Sequence, residues 1–256
     1  MKNIFTKIEF HYSFLIVALG LVITGHFANL FIFTSLIIVH EFGHVFMAVI
    51  LGYKINKVII YPYGGLTRLD CMINSSIYKD LLVAISGIVI QTIYFFIIHM
   101  LYAGGIIREY IYNLFWIYHN SMLIFNLLPI IPLDGFRILN LILSKIFNFN
   151  LSNNLSVFVS LASIIIILYG DFFDKNYSFI LVLGILMKNI YKFYHDISYI
   201  YNRFLLERYL YNINYKSKKI INNENKMYKN KNHLLVKSGR IITERDFLNN
   251  FFYKKY

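Results

Sequence analysis

Charge is scarce in this chain. Of 256 residues, 15% are Asp, Glu, Lys or Arg, against about 25% in soluble domains, which excludes an ordinary soluble fold for most of its length. Cysteine occurs once, at Cys71, so no intrachain disulfide framework exists and the solitary thiol has no assigned role. Proline occurs three times, and Pro62, Pro129 and Pro132 all fall in two short interruptions, 61–66 (YPYGGL) and 126–135 (NLLPIIPLDG). No internal repeat is visible, which gives an inverted-repeat transporter no support. The basic start (MKNIFTKIEFH) is followed by no small-residue cleavage site, so residues 12–27 read as a retained span and not a signal peptide.

What remains is apolar: 58% of residues are hydrophobic, 18% are aromatic, and mean hydropathy is +0.56. The expected fold class is an all-α polytopic membrane protein. About six transmembrane helices are expected, near 12–27, 30–51, 81–103, 110–128, 155–170 and 177–194. The abundance of Ile, Phe, Tyr, Asn and Lys points to a bacterial source with an AT-rich genome. Charge is unevenly placed. From Lys188 onward there are 15 Lys and Arg against five acids, a net of +10, while the preceding residues carry 10 against eight, a net of +2. After a series of spans, cytoplasmic retention and attraction to anionic lipid account for such a tail without a nucleic-acid partner. Among the short loops, Lys2, Lys7, Lys54, Lys57, Arg68, Lys79, Arg137 and Lys145 fall on one side and only Arg108 and Lys175 on the other. That bias places both termini in the cytoplasm.

Residues 40–44 read His-Glu-Phe-Gly-His inside an apolar stretch from Leu30 to Leu51. On a helix the two imidazoles stand at i and i+4 on one face, about 6 Å apart, within reach of one zinc ion. The stretch is about 33 Å long as a helix, enough to cross a bilayer's hydrocarbon. A charged, metal-binding pentapeptide at that depth marks a functional site. A catalytic zinc site takes three protein ligands and keeps one position open for water. Asp134, after Pro132 at the margin of the fourth span, is the best third candidate. His99 and His119 lie inside apolar segments, where a histidine more often hydrogen-bonds to a neighbouring helix. His11, His26, His195 and His233 read as solvated or interfacial.

HEFGH within a span, followed far downstream by N-x-x-P-x-x-P-L-D-G, resembles the site-2 protease family of intramembrane zinc metalloproteases. Phe125–Gly135 with Arg137-Ile138-Leu139 is especially similar to the branch of the stage IV sporulation protein FB, whose members process a membrane-associated pro-sigma factor during endospore formation. The resemblance covers roughly residues 5–195 and implies a division into 1–195, a six-span metalloprotease domain, and 196–256, a basic cytoplasmic tail. It implies one Zn2+ per chain held by His40, His44 and Asp134, with Glu41 as the base that takes a water's proton and returns it to the leaving amine. It also implies a membrane-associated β-hairpin around Gly64-Gly65 that presents the substrate as an added strand, and a weaker substrate or oxyanion role for Asn126 and Pro132. A membrane-associated protein substrate, the lipid bilayer, self-association and inhibitory membrane partners are the implied partners, and the membrane around the forespore the implied location. The chain departs from the family at Gly87-Ile88-x-x-Gln91, where Gly-Pro-x-x-Asn is usual, and at Phe136, where a second glycine is common. Neither departure is expected to touch a ligand.

The tail ends as strand, turn, strand and helix. Leu234–Val236 and Arg240–Ile242 are the strands, and Thr243 with Asp246 forms a capping box before Phe247, Leu248 and Phe251. This resembles a truncated CBS motif, giving a small α+β tail. At 61 residues it is short for the paired motifs of a nucleotide-responsive module, so substrate contact or self-association fits at least as well. Residues 216–232 read as a linker or weak helix. Two other functions use the same residues. A metal transporter would use His40, His44 and Asp134 but gives Glu41 and the two proline-glycine loops no role. A non-catalytic relative would be expected to lack a ligand or the base, and all four residues are present.

Overall fold

The computed structural model describes residues 8–61, 64–70, 72–169, 177–211, 213–237 and 240–253. These form two compact units, residues 1–71 with 82–127, and residues 72–81 with 128–256.

In the first unit, strand β1 (Ile8–Phe10) leads to α1 (Tyr12–Ile23) and α2 (Phe27–Ile50). β2 (Lys54–Tyr61) and β3 (Gly64–Asp70) follow, then α3 (Ile77–Ala103), which begins in the second unit, and α4 (Glu109–Leu127). No proline interrupts α2, and its end is set by Gly52 at φ +80. There Tyr53 N–H donates to the Ala48 carbonyl and Gly52 N–H to that of Val49, the paired bonds that close a helix when a residue without a Cβ turns left-handed. One face of α2 is buried: Ile32, Leu36, His40, His44 and Ala48 at intervals of four, flanked by Ile37, Glu41 and Val45. The opposite face exposes Phe31, Ile38, Phe42, Phe46 and Ile50. Apolar side chains on that scale face lipid and not water. The pentapeptide is therefore on the inward face of a helix whose outward face is apolar.

The strands form a three-stranded sheet in the order β1-β2-β3, parallel then antiparallel, with Ile60 opposite Gly65 and Val58 opposite Thr67. β3 is an edge strand, and Pro62 and Tyr63 of the expected hairpin lie outside the described residues.

Three described helices are long and apolar enough to cross a membrane: α2, α3 and α6 (Phe149–Tyr169). The expectation was about six. α1 has only 12 residues, and α4, though 19 long, carries Asn113, His119, Asn120 and Asn126. In the second unit α7 (Tyr177–Tyr211) continues well past the expected end at 194, because it also forms the base on which the tail packs.

The second unit also contains α5 (Asp134–Ile146), strands β4 (Lys218–Ile221), β5 (Asn232–Lys237) and β6 (Arg240–Thr243), and α8 (Glu244–Tyr253). The expected strand-strand-helix is present, and Thr243 Oγ1 caps Asp246 N–H at 3.2 Å while meeting its carboxylate at 2.6 Å. The reading of 216–232 as a linker was wrong. Residues 218–221 form β4, parallel to β5, because Ile221 and Met227 are buried with Phe204, Leu235 and Leu248. The reading of His233 as solvated was also wrong, as it is 2% exposed.

The buried centre of this unit is the Arg208 guanidinium, whose five N–H donors each need a partner once out of water. Nε donates to Asn74 Oδ1, and the terminal nitrogens donate to the carbonyls of Tyr228, Lys229 and Lys231 and to Glu244 Oε1 at 2.6 Å. Lys229 pairs with Asp80 at 2.7 Å, both buried. His233 N–H and Nδ1 both meet Glu244 Oε2, and His233 Nε2 accepts from the Tyr228 N–H at 2.9 Å. A backbone N–H only donates, so Nε2 carries the lone pair and the ring is neutral.

Burial holds His233 below its ordinary value of 6.5, against the opposing hydrogen bond to Glu244. Burial alone would raise Glu244, but the His233 hydrogen bond and Arg208 hold its carboxyl below its ordinary value of 4.5. Both folded-state values lie under the unfolded ones, so the unfolded chain binds more protons and stability falls as pH falls. The loss begins as pH drops below the ordinary histidine value and deepens through the carboxylate range. Hydrogen exchange, corrected for intrinsic rates, should show protection of β5 and α8 at pH 7.5 that declines by pH 5.5 and further by pH 4. Constant protection would contradict the linkage.

Candidate metal centre

His40, Glu41 and His44 come together on α2, all at most 5% exposed. Their ligand atoms lie within 4.8 Å of one another. The two Nε2 atoms are 3.1 Å apart, with the rings at 82° to each other. Each Nδ1 is held from behind: His40 by Gln91 Oε1 at 2.9 Å, and His44 by the Val83 carbonyl at 2.7 Å. A carbonyl only accepts, so His44 Nδ1 carries the proton and its Nε2 offers a lone pair inward. This arrangement is typical of metal-binding histidines, whose second nitrogen is tied to a carboxylate or carbonyl.

α2 and α3 approach closely because two glycines face each other. A Cβ at Gly43 would stand 2.6 Å from the Ser86 carbonyl oxygen and 2.9 Å from Gly87 Cα. A Cβ at Gly87 would intrude on His44 Nε2 and lie 2.9 Å from His40 Nε2. Gly87 thus keeps open the space at which both nitrogens point. Nitrogens 3.1 Å apart can each stand at the usual Zn–N distance of about 2.0–2.1 Å from one ion. The donor set and the cradle fit a metal.

β3 provides a further side. Side chains two apart share a strand face, and both Gly65 and Thr67 meet Glu41. Thr67 Oγ1 donates to Glu41 Oε2 at 2.5 Å. A Cβ at Gly65 would collide with Glu41 Cγ and Cδ and come 2.5 Å from Oε1. Thr67, Gln91 and the Val83 carbonyl were not identified from the sequence. The period-two pairing of Thr67 with Gly65 was the one signal available. The expectation that the departure at Gln91 touches no ligand candidate is overturned, because Gln91 Oε1 meets His40 Nδ1.

The remaining candidates are placed as follows. Asn126 is buried in α4. In the second unit Asp134 opens α5, half-buried, and Pro132 is exposed. The loop before Asp134 is pinned by buried Ile130, Ile131 and Leu133, and the Pro129 carbonyl accepts from Ser160 Oγ at 2.9 Å. His119 and His99 are hydrogen-bonded between helices as expected, to Gln91 and to Tyr112.

Two histidines and a carboxylate that converge on the inward face of an apolar helix are the donor set of a membrane-embedded metal hydrolase. Residues 28–107, which carry α2 without its first residue, strands β2 and β3 and the whole of α3, match the model of peptidase family M50. Stage IV sporulation protein FB of Bacillus subtilis is 31% identical over 210 residues, 81% of this chain and 73% of that protein. A zinc metalloprotease of Methanocaldococcus jannaschii is 34% identical over 190 residues, 68% of this chain and 54% of that protein. The site-2 protease structure from Methanocaldococcus jannaschii superposes with a TM-score of 0.55 at 28% identity, covering 72% of this chain and 89% of that one. The chain belongs to peptidase family M50, the site-2 proteases, and is a zinc metallopeptidase of the intramembrane type.

Gly65→Ala should fold, because the collision is with a side chain and not with backbone, but it must displace the Glu41 carboxylate. Cleavage should fall on the order of 10²-fold with zinc content unchanged. Wild-type cleavage rates would show that the strand does not set the carboxylate's position.

Proposed function

We propose that the protein hydrolyses a peptide bond, in or near the membrane, of a membrane-associated regulatory protein. A pro-sigma factor of a sporulation programme is the substrate that the likeness to the Bacillus subtilis protein favours. The observation that carries the proposal is the convergence of the two Nε2 atoms with the Glu41 carboxylate beside an edge strand. His40, His44 and Asp134 are the residues that would hold one zinc ion per chain. When bound, it polarises the substrate carbonyl and acidifies water.

The chain's own residues do the rest. Thr67 occupies Glu41 Oε2, which leaves Oε1, next to Gly65, to take a proton from water and return it to the leaving amine. A substrate segment must be extended to expose its carbonyls, and β3 from Gly64 onward is the edge to which such a strand can add. Asn126 hydrogen-bonds the substrate backbone, and Pro132 shapes the loop that delivers Asp134. Functionally, residues 1–195 are the protease and 196–256 the basic tail, with both termini in the cytoplasm and the protein in the membrane that surrounds the forespore. Self-association and inhibitory membrane partners complete this reading.

Purified Glu41→Gln is expected to keep stoichiometric zinc and lose cleavage of a co-expressed membrane-tethered substrate. Persisting cleavage would remove Glu41 as the base. Asp134→Asn is expected to lose zinc on dialysis against a chelator that wild type withstands. Equal metal retention would remove Asp134 as a ligand.

A further inference from the structure

Gln91 on α3 is fully buried, so no water competes for its amide. Its Nε2 lies 3.2 Å from the His119 backbone carbonyl and 3.3 Å from His119 Nδ1. The carbonyl only accepts, so the NH2 group must face His119 and Oε1 must face His40. At 2.9 Å from Oε1, His40 Nδ1 is therefore the nitrogen that carries the proton, and His40 Nε2 is left with its lone pair directed at His44 Nε2. The His119 ring is itself fixed, stacked on Phe95 at 4.4 Å and 11°. A side chain on α3 thus transmits the orientation of α4 to a histidine on α2.

We propose that Gln91 is a positioning residue that selects the metal-binding tautomer and ring plane of His40, with His119 of α4 as its anchor. The proposal rests on the reading of His40 as a zinc ligand. Removing Oε1 takes away the acceptor that fixes the proton on His40 Nδ1. The ring can then shift its proton to Nε2, where it blocks metal binding. Loss of such a supporting partner typically weakens metal affinity about 10–100-fold.

Two variants of similar length separate this from simple packing. Gln91→Met keeps the volume and removes the acceptor. Gln91→Glu keeps an acceptor toward His40 but puts a second acceptor against the His119 carbonyl, which damages packing more. Zinc affinity of the full-length protein in detergent is measured by chelator competition, with the absorption spectrum of the cobalt-loaded protein as a second readout. A positioning role predicts that Gln91→Met binds about 10–100-fold more weakly with an altered cobalt spectrum, and that Gln91→Glu stays within about threefold of wild type. Wild-type affinity in Gln91→Met, or equal loss in both, overturns it. His40→Ala is the control. If it binds zinc as wild type does, the ligand assignment fails, whatever Gln91 does. Ring 15N shifts of His40 in metal-free wild type, assigned by the peak lost in His40→Gln, give a test independent of variant folding. Protonated Nδ1 is expected, and protonated Nε2 would overturn the proposal.

Discussion

Two imidazoles one helical turn apart present their Nε2 atoms to a common point only if each Nδ1 is held somewhere else. That requirement organises the first unit. It calls for acceptors behind both rings, and these come from α3: the Val83 carbonyl for His44 and Gln91 Oε1 for His40. α3 can bring them close because Gly43 and Gly87 remove the side chains that would keep the helices apart. The same Gly87 leaves room where the nitrogens point. In an apolar surrounding an unsatisfied imidazole N–H would cost several kcal/mol, so ligand geometry and helix packing are one constraint.

The carboxylate follows the same logic from the other side. Glu41 is buried one residue after His40, where a charged group is tolerated only with partners. β3 supplies a hydroxyl through Thr67 and a surface without a side chain through Gly65. A strand fits this place because alternate residues share a face, so one short edge both orients the carboxylate and exposes backbone for a second strand. The second unit has its own centre, where Arg208 spends all five donors on the tail and on Asn74. Asn74 and Asp80, which pairs with Lys229, lie just before and within the first turn of α3.

Features set by local chemistry were legible in the sequence. His40 and His44 share a face because of the helical period, the Thr243–Asp246 cap follows from its three-residue spacing, and the limits of α2, α3 and α4 follow the apolar runs closely. Features set by distant partners were not. Nothing near Gln91 in the chain announces His40, 51 positions away, and nothing near Thr67 announces Glu41. β4 was hidden in a Lys- and Asn-rich stretch because its one strongly buried residue, Ile221, is recognisable only when packed against β5. His233 was misread for the same reason, since its partners, Glu244 and the Tyr228 N–H, become neighbours only after folding. The count of six was not confirmed because length and apolarity do not coincide in α1, in α4 or in α7, where Lys188, Asn189 and Lys192 interrupt the apolar run.

The central claim is that both Nε2 atoms bind one metal ion. Zinc K-edge absorption fine structure of the purified full-length protein tests it most directly. The account predicts about one zinc per chain, with imidazole scattering from two histidines at about 2.0–2.1 Å and oxygen in the remaining positions. Zinc bound without imidazole scattering, or through sulfur, would contradict it.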